Sequence, residues 1–112
     1  MKKSHINFEI ALDKDSVPEK INWKATDAND ETKETKSISI SLWDHEEKNS
    51  MRIDLWTKDM PVDEMKRFYI DCLGGMAQSV LNATGDEFMS NQINDLCEKM
   101  VVHVEKEMRE QK

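Results

Sequence analysis

Between Ser4 and Leu12 the large apolar residues recur at every second position, with Ile6, Phe8, Ile10 and Leu12 alternating against Asn7, Glu9 and Ala11. That period of two is the mark of a strand with one buried and one wet face, and it predicts a first strand over residues 4–12. Asp13 to Ser16 supply a polar turn, Pro18 stiffens the exit, and Ile21, Trp23 and Ala25 resume the alternation as a second strand over about 20–26. Residues 27–36 hold no large apolar side chain, so they are expected to run over the surface as a mobile loop. Alternation then returns twice, predicting strands at about 37–45 and 50–57. Ile38, Ile40 and Leu42 oppose Ser37, Ser39, Ser41 and Trp43, while Met51, Ile53 and Leu55 oppose Arg52, Asp54 and Trp56.

Two such strands in sequence predict a hairpin, and parity constrains it. If both aliphatic sets share a face, paired positions must sum to an odd number. A four-residue loop, Glu46 to Asn49, meets that condition. It would set Leu42 opposite Ile53 and Ile40 opposite Leu55, with Trp43 opposite Arg52 and Trp56 near Ser39 on the other face.

After Trp56 the period changes. Pro61, Asp63 and Glu64 suit a helical first turn, because proline lacks the orphan N–H and acids favour the positive end of the helix dipole. Met65, Phe68, Tyr69, Cys72, Leu73, Met76, Val80 and Leu81 then recur at spacings of three and four, and Thr84-Gly85 reads as the stop, giving a helix over about 62–83. Gly74-Gly75 inside it is expected to be a packing notch, since helix-interior glycine is otherwise a penalty. A second helix over about 86–109 opens at Asp86, with Met89, Ile93, Leu96, Cys97, Met100, Val101, Val104 and Met108 as its apolar face and a fraying tail from Glu105 to Lys112. The expected fold is α+β in a single domain: a four-stranded antiparallel sheet with two C-terminal helices packed on one face, in two layers.

Composition narrows the function more than the fold. Acids outnumber bases by 23 to 16, a formal charge of -7. A surface of that sign repels phosphate backbones and anionic headgroups, which makes nucleic acid a poor partner. No stretch approaches the apolar length that spans a bilayer and the N-terminal pattern is that of a strand, so no membrane insertion is expected and the cytoplasm is the expected location.

Chemistry-bearing residues do not assemble into a site. His5, His45 and His103 fall on different elements, none with a partner at metal-ligand spacing. The run Asp27, Asn29, Asp30, Glu31 resembles a calcium loop only faintly, because Thr32 stands where glycine is needed and Ile38 where the closing glutamate is needed. Cys72 and Cys97 lie in apolar stripes, where burial raises a thiol's pKa and lowers its reactivity, so they read as reduced core residues. The paired glycines lie mid-helix and form no phosphate loop. No catalytic, cofactor or metal set is therefore expected. The eight methionines, five of them on the helices, suit core filling better than an adaptable surface.

Trp43 and Trp56 are the exception, because alternation places them away from the aliphatic stripe, where large aromatics need a second layer or a partner. Trp43, Arg52 and Trp56 form the candidate partner-binding face. The structural alternative has Trp43 stacked on Arg52 and Trp56 covered by the loop or by a second copy of the chain.

The segment Ile53-Asp54-Leu55-Trp56-Thr57-Lys58-Asp59-Met60-Pro61-Val62-Asp63-Glu64-Met65 resembles the gliding-motility-associated GldC family of the Bacteroidetes. Val17-Pro18-Glu19-Lys20-Ile21 followed by Trp23, and Ser41-Leu42-Trp43-Asp44, are similar to the same family's other signatures. The resemblance implies a non-enzymatic cytoplasmic accessory protein of gliding motility, tied to type IX secretion and acting on a protein partner of that machinery. It supplies no catalytic residue. At the level of fold alone, four strands followed by two helices resemble the SecB export chaperone, which adds a chaperone-like mode of binding. The alternative is a structural subunit that self-associates as a homodimer or higher oligomer.

Overall fold

The computed structural model describes residues 1–111 and shows an α+β chain in two compact units, Met1–Met60 and Pro61–Lys112. The first contains five strands: β1 Ile6–Leu12, β2 Pro18–Ala25, β3 Lys33–Thr35, β4 Ser37–Trp43 and β5 Ser50–Trp56. The second contains α1 Val62–Thr84 and α2 Glu87–Glu110.

The strands form two antiparallel sheets, β1-β2-β3 and β4-β5, where the alternation pattern suggests one sheet of four. The reason lies at Lys36 and Pro18. Thr35 pairs with Ile21 of β2, whereas Ser37 pairs with Trp56 of β5, so the chain changes partner across a single residue. The Lys36 carbonyl accepts from Thr57 N–H at 2.8 Å. β2 does not extend past this point, because Pro18 has no N–H to offer and its carbonyl accepts from Lys58 N–H at 3.0 Å. Ile21, Ser37, Ile38 and Thr57 are buried around this junction and make the core of the unit.

The expected mobile loop is instead largely structured. Thr26–Ala28 form a 3-10 turn, Asn29 and Asp30 take left-handed conformations with φ of 60° and 54°, and Lys33–Thr35 join the first sheet. Asn and Asp tolerate that region better than most residues, and a ladder of backbone hydrogen bonds does not require apolar side chains. The segment was illegible because its order comes from β2, not from its own composition.

In the β4-β5 hairpin the paired positions sum to an odd number, as parity requires, but the register differs from the expected one by two. Leu42 pairs with Met51, Ile40 with Ile53 and Ile38 with Leu55, and the four-residue loop is His45 to Lys48. Asp44 decides this. Its carboxylate accepts from Glu46 N–H at 3.1 Å and Glu47 N–H at 2.6 Å, and its own N–H donates to Asn49 O at 2.8 Å. Lys48, at φ 57°, completes the return. An aspartate that closes the turn locally fixes the last paired position one residue earlier than counting alone allows.

In the second unit, α1 follows Pro61 and stops at Gly85, whose φ of 73° and N–H bond to Leu81 O form a left-handed cap. Asp86 then caps α2, its side chain accepting from Met89 N–H at 3.0 Å. The helices run antiparallel, with contacts at Ser90 Oγ to Ala77 O, Cys97 Sγ to Ile70 O, and Lys66 Nζ to Glu107 Oε1. The last of these, at 2.8 Å, lies in the tail expected to fray, and the helix in fact continues to Glu110.

The seam of α2 is narrower than the apolar stripe. Ser90, Ile93, Cys97, Met100, Val104 and Glu107 are its least exposed positions, while Met89, Leu96, Val101 and Met108 are exposed. A single partner helix covers a seam of period 3.5, whereas the sequence offers a broader face. The expected notch at Gly74-Gly75 is also absent. A Cβ built on either glycine has nothing within 4 Å, so no described residue packs there.

Candidate functional site

The outer face of the β4-β5 hairpin is built by parity. Odd positions of β4 and even positions of β5 share one side, which brings Ser39, Ser41, Arg52 and Asp54 together between Trp43 and Trp56. The centre of the face is a polar clasp. Arg52 donates to Ser41 Oγ, to Ser39 Oγ at 2.8 Å and to both oxygens of Asp54, at 3.0 and 3.3 Å. Ser39 in turn donates to Asp54 Oδ1 at 2.7 Å. The Ser39 hydroxyl, and after it the Arg52 guanidinium, hold the Asp54 carboxyl below its ordinary value.

The two tryptophans stand at the ends of this face. Trp43 pairs with Ser50 and is 68% exposed, and Trp56 pairs with Ser37 and is 50% exposed. Six residues of strand separate the two rows, roughly 20 Å. Arg52 sits across from Ser41, so the expected placement opposite Trp43 does not occur, and its guanidinium is occupied by the serines and Asp54. All three residues expected at the site therefore share a face, but only Arg52 belongs to its hydrogen-bonded centre.

Trp56 also borders a shallow groove of about 340 Å³ with Val17, Pro18, Leu55 and Lys58. Lys58 bridges Asp13 and Glu19 at 3.0 Å each. Asp13 is the turn residue of the β1-β2 hairpin, accepting from Val17 N–H at 3.0 Å, and that bond, then Lys58, lowers its pKa. This ion-paired rim is absent from the sequence reading because Lys58 lies 45 residues from Asp13. The Ser39, Ser41 and Asp54 contributions were available to it, since the same parity that groups the tryptophans groups them.

The other candidate chemistry stays dispersed. His5 precedes β1, His45 lies in the β4-β5 loop, and His103 on α2 faces Glu107 at 3.4 Å. Cys72 and Cys97 are half-buried thiols on α1 and α2. Among the described residues no group of three or more His, Cys, Asp or Glu is placed to hold a metal ion, and no helix is long and apolar enough to cross a membrane. What the hairpin face presents is two exposed indoles flanking a hydrogen-bonded band of donors and acceptors.

The family model described as gliding motility-associated protein GldC-like matches residues 18–106, a span that takes in β2 to β5, α1 and most of α2. No curated protein and no solved structure matches the chain.

Proposed function

Since the chain belongs to the GldC-like family of gliding motility-associated proteins, we propose that it is a non-enzymatic accessory protein of that machinery, acting by binding another protein. The reading places it in the cytoplasm beside the type IX secretion system, as an adaptor or chaperone-like binder. The observation that supports it best is the exposure of Trp43 and Trp56 at 68% and 50% on one face of the hairpin. Indoles left in water at the ends of a rigid polar band suit the anchors of an interface better than the surface of an isolated domain. The test is affinity capture from cells of the native organism, read by mass spectrometry, with the native chain and with Trp43→Ser combined with Trp56→Ser. The native chain should retain a motility or secretion component that the double variant loses, while circular dichroism stays unchanged. Equal capture by both would remove this face as the binding surface.

A second reading, self-association as a structural subunit, is favoured by the opposite face of the same hairpin. Leu42, Met51 and Ile53 are each about half exposed there, at 54%, 56% and 47%, an aliphatic surface that a second copy would cover.

A further inference from the structure

Among the described residues β5 pairs with β4 alone and no strand lies along its other edge, where Ser16, Val17 and Pro18 border the groove shared with Asp54, Leu55 and Trp56. Hydrogen bonds at the two ends of the hairpin ladder determine which residues face that edge. Asp44 N–H donates to Asn49 O and Thr57 N–H to Lys36 O, both at 2.8 Å, so odd-numbered residues on this arm turn their backbone groups toward β4. Backbone groups alternate edges along a strand, so Ser50, Arg52, Asp54 and Trp56 turn theirs outward. Lys58 continues the series: its N–H is taken by Pro18 O at 3.0 Å, which closes the edge just beyond Trp56.

We propose that this open edge pairs antiparallel with β5 of a second copy of the chain, about a twofold axis at Ile53. The choice of axis follows from charge. Two outward-facing residues meet only where their positions sum to an even number, which limits the axis to single residues of β5. An axis at Arg52 or Asp54 sets that charge against itself. An axis at Leu55 faces Arg52 with the partner's Lys58, and one at Met51 leaves Arg52 opposite the partner's Ser50. The axis at Ile53 alone sets Arg52 opposite the partner's Asp54, and Asp54 opposite the partner's Arg52. Each charge already lies against its neighbour within one copy, at 3.0 Å, so pairing joins two pairs into a cluster of four.

The same axis orders both faces of the resulting sheet, β4-β5-β5-β4. On the aliphatic side Ile53 meets the partner's Ile53 and Met51 meets the partner's Leu55, so the exposed Leu42, Met51 and Ile53 become parts of one continuous apolar face. On the other side Trp43, Ser50 and the partner's Trp56 fall in one row. Indoles of different copies then stand two strand spacings apart, roughly 10 Å, against roughly 20 Å within one copy. Pairing thereby completes a joint tryptophan surface. An exposed edge of this kind is a template for strand addition, and the charge register restricts which strand is accepted.

This inference rests on self-association but makes the edge of β5, and not the aliphatic face of the hairpin, the contact between copies, and the experiment separates the two. Light scattering on the full chain should give a dimer. Asp54→Arg and Arg52→Asp should each weaken it by at least about ten-fold, by setting like charges opposite one another. The combined exchange, Arg52→Asp with Asp54→Arg, should restore it. Under oxidation Ile53→Cys should cross-link in high yield, because facing residues at the axis lie within disulfide reach, whereas Ser50→Cys, roughly 20 Å from its counterpart, should not. The cross-link is read with native charges, but copies stacked through the aliphatic face would also bring position 53 together. It therefore supports the proposal only with the rescue by the exchanged pair, and a cross-linked dimer indifferent to both charge reversals overturns it. A native chain that is monomeric at high micromolar concentration overturns both the proposal and self-association. A dimer that does not cross-link through position 53 overturns the proposal alone and places the contact elsewhere.

Discussion

Gly74 and Gly75 sit in the middle of α1, and a Cβ at either would meet nothing within 4 Å. Replacing each with alanine should therefore stabilise the protein. The gain is the difference in helix propensity, about 1 kcal/mol per position, because alanine loses less backbone entropy on folding and no neighbour has to move. Its translation into melting temperature depends on how much of the chain melts together. At about 2.1 cal/mol/K of unfolding entropy per residue, each substitution raises Tm by about 4 °C if all 112 residues unfold as one. If the helical unit from Pro61 to Lys112 melts by itself, the shift is about 9 °C. Urea denaturation followed by helical circular dichroism gives the free energy, and a thermal scan gives the size of the cooperative unit. A loss of stability in Gly74→Ala or Gly75→Ala would refute the reasoning, since it requires something packed against that surface.

Asp86→Ala removes the side chain that caps α2 at Met89 N–H and should cost about 1 kcal/mol, read by the same denaturation. Acid should destabilise the strand-rich unit. The Asp13, Asp54 and Asp59 pKa values are all lowered, by Val17 N–H and Lys58, by Ser39 and Arg52, and by Thr57 and Lys36 respectively. A depressed carboxyl contributes stability that is present above its unfolded value, 3.8, and is lost as pH falls through the folded one. Tm should therefore be flat near neutrality and drop below pH 3.8, and Asp54→Asn should make the drop smaller. An equal drop in the variant would mean that Asp54 contributes nothing to acid sensitivity.

The strength of local signals explains where reading the sequence succeeded. Four of the five strands and both helices announce themselves by period, and the Thr84-Gly85-Asp86 stop and start is chemical: glycine for the left-handed cap, aspartate for the free N–H groups. Parity put Trp43, Arg52 and Trp56 on one face. β3 had no such signal, because Lys33, Glu34 and Thr35 bury little and owe their order to hydrogen bonds with β2.

What the sequence determined by itself was what is set within a few residues: the α+β class, both helices, four of the five strands with their faces, and the family to which residues 18–106 belong. Only the tertiary structure decided the break between the two sheets at Lys36, the register set by Asp44, the narrow seam of α2 and the clasp around Arg52. The physical reason is that periodicity records which side of an element is apolar, whereas pairing depends on which backbone groups remain free to accept a partner. Trp43 and Trp56 mark the same limit: alternation puts them on one face, and only the tertiary structure shows each to be at least half exposed there.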